Sequence, residues 1–315
     1  MGTTTDVDVV VCAYDLGRWE QLVDAVGSVL DQTVPVREVV VVVDHNAALL
    51  ARAQDAWSAA ATVRVVASHG APGLSGARNT GVRLAGAAVV AFLDDDAVAE
   101  PAWVEWLLEP YADPDVVAVG GGVVAALAAP RPGWWPQEFD WVIGCSYVGL
   151  PTTRADVRNV IGANMSARRD AVLAAGGFQE GIGRVGARPV GCEETDLYIR
   201  LAQRVPGSRV VYLPAARVHH RVPAARLTWR YFRSRCLAEG LSKAQVAARV
   251  GSSDALASER AHVLKVLPAG MARALRDGAP RRSLAIASGL LLTTAGYVRG
   301  RMTIASAGSA RLATA

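Results

Sequence analysis

The chain has 315 residues, 51% of them hydrophobic, and a formal net charge of +4 at pH 7. This length and apolar content suffice for one large α/β domain with an appended piece, and the charge is too small to indicate nucleic acid as a partner. The four cysteines form no C-x-x-C pair, which excludes a zinc knuckle and a thioredoxin-type motif. The N-terminus lacks the basic and apolar regions of a signal peptide, so we expect a cytoplasmic protein with reduced thiols.

The first 125 residues alternate strand-like and helix-like patterns. Short β-branched runs predict strands over 7–11, 39–43, 63–67 and 89–93, and apolar spacing predicts helices over 18–30, 47–61 and 76–84. Repeated β-α-β units of this size predict a mostly parallel, Rossmann-like central sheet flanked by helices. Ligands of such sheets bind beyond the carboxyl ends of the strands, which points to Ala13, Asp44 and Asp94.

The middle and the end of the chain have different patterns. Residues 130–165 carry several tryptophans, prolines and glycines, which indicates an irregular segment with one or two strands. Closely spaced glycines over 181–191 indicate a mobile loop, and a helix is predicted over 193–205. After Arg226 the pattern is helical, with expected breaks at Gly251, Pro268 and Pro280, and small residues over 303–315 predict a flexible tail.

The stretch from Leu284 to Val298 is mostly apolar and has arginines on both sides. It is shorter than the roughly 20 residues that a membrane-spanning helix needs. Two interpretations stay open. The stretch is either a core or docking helix, or an interfacial helix that contacts an anionic bilayer from the cytoplasmic side.

Three adjacent carboxylates, Asp94, Asp95 and Asp96, directly follow an apolar predicted strand. Their mutual repulsion raises their pKa values unless a cation compensates. Oxygen ligands in this arrangement suit Mg²⁺ or Mn²⁺, which also take phosphate oxygens and water. The alternative is a solvated turn that caps a following element.

Two further motifs carry candidate chemistry. Between two predicted strands, the glycines of residues 73–81 permit close backbone approach, and Arg78 offers a planar fork for a base or a phosphate. An ordinary helix start capped by Ser75 is the alternative. Glu193 and Glu194 open the helix after the glycine-rich loop, where the helix dipole favours carboxylates in any case and where a carboxylate is also able to act as a general base.

These three motifs, in this order and spacing, resemble those of the family 2 glycosyltransferases, which have the nucleotide-sugar-binding GT-A fold. The resemblance covers about residues 6–240 and includes Val11-Cys12-Ala13-Tyr14, Ser28-Val29-Leu30-Asp31-Gln32-Thr33 and Gly176-Gly177-Phe178. It implies a GT-A domain over 1–225, with a nucleotide-sugar half over about 1–125 and an acceptor half over about 126–225. A helical C-terminal extension over 226–302 and the tail follow.

The resemblance also implies roles for individual residues. Glu193 and Glu194 match its catalytic motif, with Glu194 as the base, and Asp96, Asp94 and His220 match its metal site. The donor nucleotide would be bound by Ala13, Tyr14, Asp44, Ser75, Arg78, Asn79, Asp94 and Asp95. His219 and His220 are adjacent, so on a strand they point to opposite faces and at most one reaches the metal.

Two departures from the family pattern stand out. Asp44 is followed by His45-Asn46 instead of Gly-Ser, which leaves the nucleobase pocket open, and Glu194 replaces the commoner Asp. The Gln-x-x-Arg-Trp signature of processive synthases does not occur, which favours a single-addition enzyme.

The predicted function is transfer of a sugar from a nucleoside-diphosphate sugar, with UDP favoured, to a saccharide or lipid-linked acceptor in cell-envelope or glycoconjugate synthesis, with inversion. Trp134, Trp135 and Trp141 are candidates for a wall that stacks on a sugar, with buried anchors of the irregular segment as the alternative. Arg184 and Arg188 are candidates for phosphate contacts from a lid. There are two alternative functions. An NAD(P)-dependent oxidoreductase needs G-x-G-x-x-G after the first strand, which reads Ala13-Tyr14-Asp15-Leu16-Gly17-Arg18 here. A non-catalytic nucleotide-sugar-binding protein would be expected to lose these acids.

Overall fold

The computed structural model describes residues 6–182, 191–251 and 257–312, and for 257–258 and 307–312 only the backbone. Its centre is one mixed sheet of nine strands in the order β3-β2-β1-β4-β8-β6-β9-β5, with β7 paired to β9. The strands are β1 Val7–Ala13, β2 Glu38–Val43, β3 Val63–Ala67, β4 Val89–Asp94, β5 Ala97–Ala99, β6 Val116–Leu127, β7 Ala155–Asp156, β8 Asn164–Arg168 and β9 Arg209–Val222.

Ten α-helices lie in the described ranges. They are α1 Trp19–Leu30, α2 Ala47–Ala56, α3 Leu74–Leu84, α4 Trp103–Leu108, α5 Arg169–Ala174, α6 Glu193–Arg204, α7 Trp229–Val250, α8 Ala257–Ala261, α9 Leu267–Arg276 and α10 Pro280–Leu312. Short 3₁₀ turns occupy Leu16–Arg18, Glu109–Ala112, Gln137–Ile143 and Ala224–Leu227, and a π-helical turn, His262–Val266, joins α8 to α9.

The first half of the sheet forms because its strands are apolar on both faces. Val9 and Val11 belong to the core that contains Leu22 of α1, whereas Val10 belongs to the core that contains Val82 of α3. A strand whose successive side chains enter two different cores must be covered on both sides, as parallel β-α-β units require. This half confirms the predicted strand and helix order, although α2 ends at Ala56, five residues before the predicted end.

The second half of the sheet corrects the expectation of a mostly parallel arrangement. β8 runs antiparallel to both β4 and β6, and β5 runs antiparallel to β9, while β6 and β9 pair in parallel. A parallel return needs a crossover connection that packs on the sheet, whereas β6 is joined to β8 by the irregular segment 128–163. The GT-A-like α/β class is nevertheless confirmed, with a mixed sheet in place of a mainly parallel one.

The long strands β6 and β9 bring distant residues to the carboxyl end of β4. β5 follows β4 after two turn residues and pairs with β9, so that Ala97 lies opposite His220. The acidic turn after β4 and a histidine more than one hundred residues later therefore share one corner of the sheet.

The C-terminal helices form a close-packed hairpin. A Cβ atom at Gly240 of α7 would collide with the Thr293 carbonyl of α10, and one at Gly296 would collide with the Leu237 carbonyl. The predicted break at Gly251 is observed, since α7 ends at Val250. Pro268 instead lies in the first turn of α9, where a missing N–H is tolerated.

The last helix is longer than the sequence indicated. α10 continues through Leu312, ten residues into the segment predicted to be a tail. Alanine is the strongest helix former and is frequent there, which accounts for the longer helix. Within the described ranges, no helix combines the length and the apolar character needed to cross a bilayer.

Candidate active site

Residues that follow three parallel strands line one large cavity, which we call the central cavity. It has a volume of about 1100 Å³ and is lined by Tyr14 after β1, Asp44 after β2 and Asp94 at the end of β4. Glu193 and Glu194 of α6 line it as well. The structure thus brings together at one edge of the sheet the motifs that the sequence placed far apart.

Asp96 lies among three basic side chains. Its carboxylate lies 3.2 Å from Nε2 of His220 and 3.1 Å from an Nη atom of Arg18, with Arg226 at 3.7 Å. Burial alone would raise the pKa of Asp96, but the hydrogen bond and charge of His220, together with Arg18 and Arg226, lower it below its ordinary value. This corner keeps Asp96 ionised.

The negative charge of the neighbouring Asp95 has fewer basic partners than that of Asp96. Its Oδ1 accepts a hydrogen bond of 2.8 Å from Arg18, but its buried Oδ2 has no hydrogen-bond partner among the described residues. Burial and the adjacent charge of Asp96 raise the pKa of Asp95 to about 7. A buried carboxylate oxygen without a partner is costly unless a further donor or cation reaches it.

The two adjacent histidines are separated as strand geometry requires. His220 is buried against Asp96, with its Nδ1 at 3.6 Å from Sγ of Cys145. His219 lies on the other face, where its Nε2 is 3.0 Å from Glu100. Only His220 therefore lies beside the acidic turn.

Arg78 bridges the two acidic motifs instead of extending into free space. It is buried, and its guanidinium donates to Glu193 at 2.8 Å, to Asp94 at 3.2 Å and to the Gly162 carbonyl at 2.9 Å. A nucleotide contact by Arg78 stays a prediction. What the structure adds is that one cation positions a carboxylate of the β4 turn and a carboxylate of α6.

The two glutamates of α6 differ in their partners. Glu193 is paired with Arg78, whereas Glu194 makes no ion pair with any described residue. Burial and the charge of Glu193 raise the pKa of Glu194 to about 8. A carboxyl group with a pKa near neutrality in a cavity is suited to acid–base chemistry.

The start of α6 is fixed by the C-terminal helices. Cys192, directly before Glu193, adopts a left-handed conformation with φ of 72°. Its thiol donates to Glu239 of α7 at 3.4 Å, and the Gly191 N–H donates to Ser242 at 3.2 Å. The position of the glutamate pair therefore depends on α7 as well as on the sheet.

Asp44 and its unusual neighbours form a compact turn. Asp44 accepts the Gly73 N–H at 2.8 Å and lies 2.7 Å from Nδ1 of His45, which has a positive φ of 49°. Asn46 caps α2 by accepting the Leu49 N–H at 3.0 Å and donates to the Tyr14 carbonyl at 2.9 Å. The departure from the family pattern after Asp44 is thus accommodated by a helix cap.

The remaining residues that were predicted to bind the donor nucleotide fall into two groups. Ala13, at the end of β1, and the partly exposed Tyr14 line the central cavity. Ser75 donates to the Ile182 carbonyl at 2.6 Å, and Asn79 exchanges hydrogen bonds with the backbone of Phe178. A donor contact through the side chains of Ser75 or Asn79 would have to replace these bonds.

Of the candidate acceptor and lid residues, Trp141 lines the central cavity. Arg184 and Arg188 lie outside the described residues, as does most of the proposed lid. The stacking wall proposed for Trp134 and Trp135 is not observed there, because these rings pack against Phe232 in the core beneath α7.

Sequence reasoning missed several residues of the site. Arg18 was not predicted, yet it contacts Asp96, as does Arg226 of the 3₁₀ turn before α7. Lys243 of α7 also lines the cavity, and its amine lies 3.2 Å from Glu239. The two arginine contacts with Asp96 join residues that are far apart in the chain, and no local spacing signals them.

The carboxylate oxygens at the acidic turn suit a divalent cation whose other ligands come mainly from the phosphates of a substrate. No three His, Cys, Asp or Glu side chains of the described residues surround a common point. A Mg²⁺ or Mn²⁺ in a diphosphate site needs only one or two protein carboxylates, because phosphates and water complete the coordination. Asp96, the partly exposed Asp94 and the unpartnered Oδ2 of Asp95 are compatible with that requirement.

The fold and the acid-lined cavity define a glycosyltransferase of the GT-A class. The structure is similar to a mannosyltransferase from Pyrobaculum calidifontis in complex with GDP-Man and Mn²⁺, with a TM-score of 0.60 at 18% identity over 95% of this chain and 88% of that one. It is also similar to GalNAc-T7 with UDP, GalNAc and Mn²⁺, with a TM-score of 0.56 at 18% identity over 89% of this chain and 59% of that one.

The chain belongs to glycosyl transferase family 2, whose model matches residues 8–174. It is 40% identical over 231 residues to the glucosyl-dolichyl phosphate glucuronosyltransferase of Haloferax volcanii. The aligned region covers 72% of this chain and 74% of the relative. These comparisons confirm the predicted family and enzyme class, and they do not favour the oxidoreductase alternative.

Proposed function

We propose that this glycosyltransferase transfers one sugar, with inversion, from a metal-bound nucleoside-diphosphate sugar to a hydroxyl group of a lipid-linked saccharide. The observation that carries the proposal is that the acidic turn after β4 and the glutamate pair of α6 line one cavity and share Arg78. A UDP-sugar is the first donor to test, because UDP was favoured from the motifs.

On the donor side, the chain supplies charge and position. Tyr14 and Asp44 would contact the nucleoside, and Asp96 and Asp94 would hold a Mg²⁺ or Mn²⁺ ion, with His220 beside Asp96. Such an ion stabilises the negative charge that develops on the leaving diphosphate. Arg18 and Arg226 keep Asp96 ionised, and their positions at the cavity suit them to face diphosphate oxygens as well.

On the acceptor side, Glu194 would take the proton of the attacking hydroxyl. It lines the cavity, has no ion-pair partner among the described residues, and has a pKa raised to about 8. Glu193 is held by Arg78 and serves to fix the start of α6. Attack from the face opposite the leaving group inverts the anomeric carbon in one step, so no protein nucleophile is required.

The lining of the cavity supports a partly apolar acceptor. Besides the glutamates, its walls include Trp141, Leu267, Leu290 and Tyr297. The Haloferax volcanii relative is named for a dolichyl-phosphate-linked substrate. A lipid-linked acceptor accounts for both observations, and it assigns the reaction to glycoconjugate or cell-envelope synthesis at the cytoplasmic face of a membrane.

The test is a transfer assay with a panel of UDP- and GDP-sugars, Mn²⁺ or Mg²⁺, and polyprenyl-phosphate-linked mono- and disaccharides. We expect one donor to be consumed in a metal-dependent reaction, with a single sugar added and the anomeric configuration inverted in the product. Retention, repeated addition, or full turnover in excess chelator would each contradict the proposal. A non-catalytic binder would bind nucleotide without consuming donor.

A further inference from the structure

The last helix, α10, has two unlike faces. One face packs closely on α7 through Gly296 and Gly300 and on Phe139 through Gly289, and all three glycines are buried. The opposite face exposes four large apolar side chains to 51–70% of their surface: Leu284 67%, Leu291 70%, Val298 51% and Met302 69%. Their spacing of seven, seven and four residues aligns them in one stripe along an α-helix, which we call the outer stripe.

The charge on this helix has one sign. The sequence of α10 contains five arginines and no aspartate or glutamate. Arg281 and Arg299 precede and follow most of the outer stripe, and helical geometry places both beside it. A row of apolar side chains bordered by arginines matches the chemistry of an anionic bilayer surface, where apolar groups enter the acyl boundary and arginines meet phosphates.

We propose that the outer stripe of α10 docks on an anionic lipid bilayer, with the helix lying in the plane of the interface. A second copy of the chain is a poorer occupant. Pairing two such helices would bring arginines towards arginines without an acidic residue on either helix to compensate. The bilayer supplies the missing negative charge.

The outer stripe adjoins the central cavity. A shallow groove of about 740 Å³ runs along it between Leu291 and Ser306, and Thr294 lines both this groove and the central cavity. The opposite side of α10 contributes Leu290, Thr293 and Tyr297 to the cavity wall. Resting on the function proposed above, this arrangement lets an acceptor whose lipid stays in the bilayer place its sugar in the cavity without leaving the membrane.

The docking is tested by flotation of the full-length protein with vesicles, independently of any activity. Wild type should float with vesicles of phosphatidylcholine and phosphatidylglycerol and much less with pure phosphatidylcholine, and 0.5 M salt should weaken binding. The double variant Leu291→Asp, Val298→Asp should lose binding at least tenfold, because each removed apolar group contributes by burial. Arg281→Gln and Arg299→Gln should each weaken binding about fivefold.

The matched control is Leu173→Asp, which places the same charge on an exposed leucine of α5. It should float like wild type, and all variants should keep the wild-type circular dichroism spectrum and melting temperature. Equal flotation of the outer-stripe variant and wild type overturns the proposal. A wild-type protein that does not bind anionic vesicles overturns it as well. So does a wild-type protein that forms a dimer in solution, if the outer-stripe variant no longer forms that dimer.

A transfer assay separates this proposal from the proposed function. The outer-stripe variant should transfer normally to a short, water-soluble acceptor and poorly to a long-chain acceptor embedded in vesicles. Flotation without any transfer would instead contradict the proposed function and leave the docking surface standing.

Discussion

The central cavity contains two acids, Asp96 and Glu194, whose surroundings shift their pKa values in opposite directions. Asp96 of the acidic turn is surrounded by His220, Arg18 and Arg226, which lower its pKa. Glu194 of α6 lies partly buried beside Glu193 without an ion pair to any described residue, and its pKa rises to about 8. Residues of the same chemical class thereby acquire different tasks from their surroundings.

The difference follows from where cations are placed. The metal role proposed for Asp96 requires an ionised carboxylate, and Arg18, Arg226 and the hydrogen bond with His220 keep it ionised. The base role proposed for Glu194 requires a pKa near the working pH, which burial beside Glu193 provides. Arg78 contacts Asp94 on one side and Glu193 on the other, so the two corners are separate in charge but joined in geometry.

The largest expected effect comes from the acid with the raised pKa. Glu194→Gln should lower turnover by roughly 10²–10⁴-fold and leave donor binding unchanged, because it removes only the proton acceptor. Steady-state rates and nucleotide binding by calorimetry measure the two effects. Glu20→Gln, at a highly exposed position of α1, is the control. If only Glu193→Gln loses turnover, the roles of the two glutamates are reversed.

The next effect concerns the ionised acid. Asp96→Asn should lower turnover by roughly 10³-fold, since the stabilisation of charge by a bound metal is worth several kcal/mol. In contrast to the Glu194 change, it should also weaken metal-dependent nucleotide binding. Asp55→Asn, on the exposed surface of α2, should do neither. Nucleotide binding by Asp96→Asn with wild-type affinity and metal dependence would refute the assignment.

A smaller effect is expected at the residue that joins the two corners. Arg78→Lys keeps the charge but loses the fork that reaches Glu193, Asp94 and the Gly162 carbonyl, so turnover should fall by roughly 10²-fold through misplacement. Arg83→Lys, exposed on the same helix, is the matched control. Comparable activity of the two variants would mean that the bridge is dispensable.

The smallest effect is on stability and depends on pH. Because the folded-state pKa of Glu194 is raised above the ordinary value of 4.5 to about 8, the folded protein holds a proton that the unfolded chain releases, and stability falls as pH rises between these values. Glu194→Gln lacks this penalty, so its melting temperature should exceed that of wild type by a few degrees at pH 8 and match it at pH 4. Thermal unfolding at both pH values decides; an equal difference at the two would contradict the raised pKa.

Only part of this site is predictable from the sequence alone. The acids themselves were found, because Asp94–96 end an apolar strand and Glu193 opens a helix, and both are local patterns. The parallel half of the sheet was found for the same reason, from its runs of valine. The partners of these acids were not, since Arg18 meets Asp95 across 77 residues and Arg78, which was predicted to contact the donor, meets Glu193 across 115.

The mixed pairing of β8 was missed for a related physical reason. Strand direction depends on how the chain returns to the sheet, and the irregular segment before β8 carries no periodic signal for that return. Likewise, the close approach of α7 and α10 depends on glycines at their contact. In the sequence alone these glycines only lower the helix propensity, and their packing role becomes visible once the two helices are placed side by side.

The left-handed Cys192 has a consequence for the exchange of parts between related enzymes. A glycine would adopt its backbone conformation without the roughly 1–2 kcal/mol that a side chain adds. Only a side chain, however, is able to reach Glu239, which lies 47 residues further along the chain. A chimera that combines this sheet domain with another C-terminal hairpin must therefore inherit both ends of the thiol–carboxylate contact, or its helix α6, which carries the glutamate pair, would start from an unsupported residue.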